Sequence, residues 1–143
     1  MSKVSRDLLS GWKVLIVEDD MDSQEVAKRL LQRYGATVYT ANNGLEGLEV
    51  LQSIYPNFIL SDLSMPEMDG WGFIYELQQD RSTSEIPIFA LTAHAMRGDR
   101  ERAIGVGFYN YITKPLTPAT FMEELLEVLK AVPQLEHKLA EIE

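Results

Sequence analysis

Residues 58–70 read Phe-Ile-Leu-Ser-Asp-Leu-Ser-Met-Pro-Glu-Met-Asp-Gly, a pattern that predicts a strand, a turn and the start of a helix. Its first four residues predict a buried strand, because they form a short apolar run after the breaker pair Pro56-Asn57. Asp62 ends that strand, and Pro66 and Asp69-Gly70 are typical of a turn and a helix entry. In an open α/β sheet, ligands bind beyond the carboxyl ends of strands, so Asp62 is a candidate working acid. A single acid at such a position more often only caps a helix, so the choice between a cap and a functional acid depends on the rest of the chain.

The composition predicts one domain with a substantial core, since 45% of the 143 residues are hydrophobic. The sequence has no cysteine and no apolar run long enough to cross a membrane, and no leader peptide is expected, since no apolar run follows its first residues. These features exclude disulfides and thiolate metal sites, and they favour a cytoplasmic protein without a membrane partner. The net charge of −9 disfavours nucleic-acid binding, because phosphates would be repelled. That charge is compatible with a cation site or with basic protein partners.

Further apolar runs alternate with helical patterns along the chain. The runs predict strands at residues 13–17, 37–41, 86–91 and 109–113, besides the strand that ends at Asp62. Helical spacing predicts helices over 22–34, after Asn42 or Asn43, over 70–79, from about 98 to Gly105 or Gly107, and from Thr117-Pro118 onward. Five strands alternating with five helices predict parallel strands, right-handed crossovers and helices on both faces. The predicted fold class is a doubly wound α/β domain.

This domain is expected to occupy residues 12–131, between two terminal segments. Residues 1–11 are predicted to be a loose N-terminal arm, although Leu8 and Leu9 could dock. Residues 132–143 form a C-terminal tail whose leucines and isoleucine recur at helical spacing, which predicts a short amphipathic helix. The tail could cover the last helix or form a homodimer contact, and the sequence leaves both open.

Chemically active groups follow four of the five predicted strands: Glu18 and Asp19, Asp62, Thr92, and Lys114. Because the strands are parallel, these groups share one edge of the sheet. Three carboxylates crowded there would repel one another by several kcal/mol, of the order of 332/(εr) at ε near 20, unless a cation neutralises them. Oxygen ligands without His or Cys favour Mg²⁺. The lysine and threonine suit a phosphoryl group, so Asp62 is predicted to be a nucleophile that forms an aspartyl phosphate.

The chain resembles the receiver domains of two-component response regulators. Four pieces carry the resemblance, in family order and at family-like distances: VLIVEDD (14–20), FILSDLSMPEMDG (58–70), ALTA (90–93) and YITKPL (111–116). They span roughly residues 12–131. The resemblance implies a flavodoxin-like fold with strand order 2-1-3-4-5 and five flanking helices.

The resemblance also implies a metal site at the end of the sheet. Asp62 corresponds to the phosphoacceptor, and Asp19 to the acid that binds Mg²⁺ directly. Glu18 corresponds to the acid that binds the ion through water, and the backbone carbonyl of Ser64 to a further ligand. Glu18 replaces a more usual aspartate, which is a common variation.

Further implied roles concern the phosphoryl group and the response to it. Lys114, Thr92 and the backbone of Ala93 are expected to contact the phosphoryl oxygens. Thr92 and Tyr111 resemble the family's switch pair. The Lys114–Pro115 bond resembles the family's cis peptide, although only about one X-Pro bond in twenty is cis. His94 is expected to tune access of water to the phosphoryl group.

The implied function is a signalling switch rather than an enzyme, although it catalyses its own phosphorylation and dephosphorylation. The phosphoryl group would come from a sensor histidine kinase or a phosphotransfer protein. Residues 132–143 are too few for an output domain, so output is expected through protein contact or a phosphorelay. The contact is expected on the face made by helix 4, strand 5 and helix 5.

Three other functions have weaker support. A phosphatase with an aspartate nucleophile would need a second acid two residues later, where this chain has Ser64. A flavin-binding module would want a small polar loop after the first strand, but Glu18-Asp19-Asp20 would repel the flavin phosphate. A docking module that is never phosphorylated would not need the complete set of acids, threonine and lysine.

Overall fold

The computed structural model describes residues 8–93, 99–133 and 135, which form a parallel sheet with helices on both faces. The elements in chain order are β1 (Lys13–Val17), α1 (Met21–Arg33), β2 (Thr37–Ala41), α2 (Gly44–Val50), β3 (Phe58–Asp62), α3 (Gly70–Gln79), β4 (Ile88–Thr92), α4 (Asp99–Val106), β5 (Asn110–Thr113) and α5 (Pro118–Lys130). All neighbouring strands are parallel, in the order β2-β1-β3-β4-β5. The predicted fold class and strand order are confirmed. Within the described ranges, no helix is long and apolar enough to cross a membrane.

The core has two layers, because alternate strand residues point to opposite faces of the sheet. Val14 and Ile16 lie in the cluster that α1 and α5 cover, whereas Leu15 lies in the cluster under α2, α3 and α4. An edge-to-face aromatic series crosses the first layer: the ring of Phe58 lies 5.9 Å from the rings of Trp12 and Phe89. This packing holds β1, β3 and β4 in register, and so places their carboxyl ends side by side.

β4 begins at Ile88, two residues later than predicted. Pro87 has no N–H to donate to a ladder, and the N–H of Ile86 bonds instead to the carbonyl of Thr83 at 3.1 Å. The predicted start at residue 86 therefore falls in a turn. The carboxyl end of the strand, at Thr92, lies where the site requires it.

The N-terminal boundary is also corrected. Leu9 is fully buried, its N–H donates to the carbonyl of Tyr34 at 2.8 Å, and its carbonyl accepts from the N–H of Trp12 at 3.0 Å. Gly35 fits this contact, since its φ is +98° and a Cβ there would lie 3.1 Å from the backbone of Ser10. Residues 8–11 are therefore part of the packed domain, and the prediction of a loose arm is wrong for them.

The packed domain also extends beyond its predicted C-terminal boundary. Val132 and Leu135 are buried in the first layer, so the packed domain continues past residue 131. The rest of the predicted tail helix, residue 134 and residues 136–143, lies outside the described residues, as do residues 1–7 and 94–98 with His94.

Candidate functional site

Three carboxylates meet at the carboxyl edge of the sheet, as predicted. Glu18 follows β1 directly, Asp62 ends β3, and pairing of Val17 with Ser61 brings the two strand ends together. One carboxylate oxygen from each of Glu18, Asp19 and Asp62 lies within 4.8 Å of the other two. Glu18 and Asp62 are buried, at 0% and 8% exposure, whereas Asp19 faces solvent. The cluster is therefore open on one side.

Lys114 reaches into this cluster from the end of β5. Its backbone N–H bonds to the carbonyl of Thr92 at 2.8 Å, which fixes the residue beside β4. Its Nζ lies 2.5 Å from Oε1 of Glu18 and 3.2 Å from Oδ2 of Asp62. The closer contact is a charge-assisted ion pair, and Glu18 Oε1 has no other hydrogen-bond partner within the described part of the chain. With all four groups ionised, one ammonium faces three carboxylates.

The excess negative charge perturbs the two most buried groups. Burial and, after it, the neighbouring Asp62 raise the pKa of Glu18, Lys114 opposes them, and the pKa moves from 4.5 to about 7. Burial alone would lower the pKa of Lys114, but its hydrogen bond to Glu18 and the charges of Glu18 and Asp62 outweigh burial and raise it. In this arrangement the carboxylates need one more positive charge near them.

The carboxylate of Asp62 is held from both sides. Its Oδ1 accepts the backbone N–H of Leu63 at 2.7 Å and that of Ser64 at 3.3 Å, while Oδ2 faces Lys114. The turn that follows returns to the strand end, because a Cβ on Gly70 would clash with the carbonyl oxygen of Asp62. Glycine therefore allows α3 to start directly against β3. Asp69 caps that helix by accepting the N–H of Gly72 at 2.9 Å.

A cavity of about 350 Å³ opens above Asp62. Five predicted site residues line it: Asp62, Ser64, Thr92, Ala93 and Lys114. Asp69, Trp71 and Arg102 also line it and were not predicted as site residues. The sequence offered no signal for Trp71 and Arg102, because their approach depends on how α3 and α4 pack. A larger cavity of about 520 Å³ lies beside Gln52 and Arg81, away from the acid cluster.

The donor set fits a hard divalent cation. The carboxylates of Glu18, Asp19 and Asp62 supply three oxygen atoms that all lie within 4.8 Å of one another. Mg²⁺ prefers a few carboxylates, carbonyls and waters to soft ligands. The cluster therefore resembles a magnesium site.

The other predicted positions lie around this edge. The Lys114–Pro115 peptide is cis, as predicted. Tyr111 is half-buried on β5, beside Ala90 of β4, and Cζ of Arg100 lies 5.9 Å from the centre of its ring. Thr92 is buried at the end of β4.

A family model of the response regulator receiver domain matches residues 14–126. The chain belongs to this family. The receiver domain is 34% identical over 116 residues to the polar-differentiation response regulator DivK of Brucella ovis, covering 81% of this chain and 94% of DivK. It is 34% identical over 134 residues to the sensor histidine kinase CheAY of Helicobacter pylori, covering 92% of this chain and 16% of that protein. The chain spans about half the length, or less, of several curated relatives it matches.

Solved structures agree with this assignment. The receiver domain of the sensor histidine kinase PA1611 from Pseudomonas aeruginosa was solved with a magnesium ion coordinated in its active site cleft. It matches this receiver domain with a TM-score of 0.74 and 30% identity, over 86% of this chain and 98% of that one.

Proposed function

We propose that this receiver domain takes a phosphoryl group on Asp62 from a sensor histidine kinase or a phosphotransfer protein. The observation that carries the proposal is the placement of the Asp62 carboxylate below an open cavity, with Lys114 Nζ 3.2 Å from Oδ2. A buried carboxylate with a cation beside it and access from solvent suits in-line attack on phosphorus.

The transfer involves one bond formed and one broken. A carboxylate oxygen of Asp62 attacks the phosphorus, the bond from phosphorus to the donor breaks, and the donor leaves with that electron pair. Lys114, the hydroxyl of Thr92 and the backbone N–H of Ala93 would bind the phosphoryl oxygens. Attack by water on the same phosphorus later returns the carboxylate and inorganic phosphate, which makes the domain a self-resetting switch.

Glu18, Asp19, Asp62 and the carbonyl of Ser64 would hold Mg²⁺. When bound, the ion supplies positive charge that offsets the carboxylates and the charge on the transferred group. Support for this assignment comes from the oxygen cluster and from the pKa of Glu18, which burial raises to about 7.

Output is proposed to run through Thr92 and Tyr111. Thr92 would be drawn toward the new phosphoryl oxygens, and Tyr111, on the neighbouring strand, would turn inward to fill the space beneath α4. The surface made by α4, β5 and α5 would then change and bind a downstream protein, or the phosphoryl group would pass onward. The protein would also be able to form a homodimer through this surface or through its C-terminal tail.

Phosphorylation by a small donor tests the assignment. Wild type treated with acetyl phosphate and Mg²⁺ is expected to gain one phosphoryl group by intact mass, whereas Asp62→Asn gains none. Asp69→Asn is the matched control, because Asp69 lines the same cavity but caps α3, and asparagine caps equally well. Equal labelling of wild type and Asp62→Asn would exclude Asp62 as the acceptor.

A further inference from the structure

Arg102 lines the cavity above Asp62, although nothing in the family match assigns it a role. Its Cζ lies 4.1 Å from the ring centre of Trp71, so the guanidinium is stacked on the indole. The Trp71 ring in turn packs edge-on against Phe108, at 6.0 Å between ring centres and 88° between planes. Phe108 belongs to the buried core. Arg102 is thus a surface cation whose position is set by the core.

Stacking leaves the hydrogen-bonding edge of the guanidinium free. The five N–H donors lie in the plane of the group, whereas the face contacts the indole. Within residues 8–93 and 99–133, Arg102 makes no salt bridge. Within that part of the chain, its donors are therefore available to an anion that enters the cavity.

The charges around the cavity favour binding of an anionic donor by Arg102. Lys114 is the other cation among the described lining residues, and it already contacts Glu18 and Asp62. Asp69 adds another carboxylate to the lining. An anionic donor must approach these acids on a protein of net charge −9. Arg102 is exposed, whereas Asp62 and Thr92 are buried. Arg102 therefore lies at the solvent-facing rim of the cavity, which an incoming donor contacts before Asp62.

We propose that Arg102, positioned by Trp71, binds the anionic phosphoryl group of an incoming phosphodonor before its transfer to Asp62. This inference rests on the proposed function. Arg102 forms no covalent bond and exchanges no proton: its guanidinium hydrogen-bonds phosphoryl oxygens while the donor-to-phosphorus bond is intact. A planar guanidinium can bind two such oxygens at once, which suits a phosphoryl group better than a point charge does.

The test compares phosphorylation rates at increasing acetyl phosphate concentration, with Mg²⁺ saturating, for wild type, Arg102→Gln, Arg102→Lys and Arg100→Gln. Arg100 is the matched control: it lies on the same helix and is near Tyr111, but it does not line the cavity. For Arg102→Gln, the initial slope of rate against concentration is expected to fall about threefold to fivefold, as for one exposed charge contact. The rate at saturating donor should stay unchanged.

Two further readouts separate donor binding from a structural effect. Added salt should lower the slope for wild type more than for Arg102→Gln, because a screened contact has been removed. Trp71→Leu should also lower the initial slope, but by less than Arg102→Gln, because the guanidinium loses the ring on which it stacks. The slope for Arg102→Lys should lie between those for Arg102→Gln and wild type. The hydrolysis rate of the aspartyl phosphate should be the same in wild type and Arg102→Gln.

Three results would overturn the inference. The slope for Arg102→Gln could equal that of wild type, or Arg100→Gln could lose as much as Arg102→Gln. A change confined to the hydrolysis rate would mean that Arg102 contacts the bound group instead of the donor. In each case wild type still becomes labelled on Asp62, so the proposed function stands. Failure of wild type to label would contradict the proposed function itself.

Discussion

Replacement of Lys114 by methionine tests the electrostatics of the site most severely. The change keeps an unbranched side chain one atom shorter but removes the ammonium that lies 2.5 Å from Glu18 and 3.2 Å from Asp62. The side chains of these three residues are only 13%, 0% and 11% exposed, so water cannot readily replace the lost charge.

The expected magnitude follows from burial. Removing one partner of a buried ion pair costs about 3–5 kcal/mol when the remaining charge cannot be neutralised. Glu18 can be neutralised, because burial already raises its pKa to about 7 with Lys114 in place, and loss of Lys114 raises that pKa further. At pH 6 Glu18 is already mostly protonated in wild type as well as in the variant, so the loss of unfolding free energy should be about 1 kcal/mol. At pH 8.5 the loss should be about 2–3 kcal/mol.

The sign of the pH dependence follows from proton binding. In the unfolded chain Glu18 has its ordinary pKa near 4.5, whereas in the folded protein the pKa is higher. The folded state therefore binds the proton more tightly, and the stability from this group is complete below about pH 4.5. It is lost as the pH rises through about 7, and in Lys114→Met the loss continues to higher pH.

Urea unfolding at pH 6 and pH 8.5, without and with Mg²⁺, measures these differences. Lys130→Met is the control, because Lys130 is exposed at the end of α5, and its variant should differ little from wild type at either pH. Mg²⁺ should stabilise Lys114→Met more than wild type, since the ion and Lys114 neutralise the same carboxylates. Equal losses at the two pH values, or a loss no larger than that of Lys130→Met, would refute this account of the site.

Other changes probe the metal, the turn and the switch. Asp19→Asn should weaken Mg²⁺ binding several-fold in a calorimetric titration while raising metal-free stability, and unchanged affinity would remove Asp19 from the ligand set. Gly70→Ala should lower the unfolding free energy measured in urea by roughly 2–4 kcal/mol, because the added Cβ would clash with the Asp62 carbonyl. Gly105→Ala is the control, since a Cβ there has open space. A smaller loss for Gly70→Ala than for Gly105→Ala would contradict this. Beryllofluoride, a phosphoryl mimic, should shift amide resonances of residues 99–113 in wild type but much less in Thr92→Ala, and equal shifts would exclude Thr92 as the link.

The chemistry of the site could be predicted from the sequence because it lies at strand ends. Each apolar run stops at a polar group, and parallel strands bring such ends together without any knowledge of side-chain packing. Glu18, Asp62 and Lys114 meet for this reason, and the resemblance to receiver domains supplied the strand order that places β1 beside β3.

Features that depend on packing between elements could not be read in the same way. Leu9 is buried because a turn returns it to Tyr34, and no periodic pattern marks such a contact. Leu45 fits an apolar helical pattern but is exposed, because Gly47 lies on the inner side of α2, where a Cβ would come 2.9 Å from Phe73. The stacking of Arg102 on Trp71 joins two helices, and their relative placement is fixed by the sheet rather than by either helix.

Locating the phosphoryl group shows directly whether Asp62 is the phosphoacceptor. Wild type would be phosphorylated with acetyl phosphate and Mg²⁺, and then reduced with borohydride, which converts an aspartyl phosphate to homoserine. Peptide mass mapping would locate the modified residue. We predict homoserine at position 62 alone, and none when the donor is omitted. Homoserine at position 19 or 69, or a phosphorylated protein without homoserine at position 62, would contradict the claim that Asp62 is the phosphoacceptor.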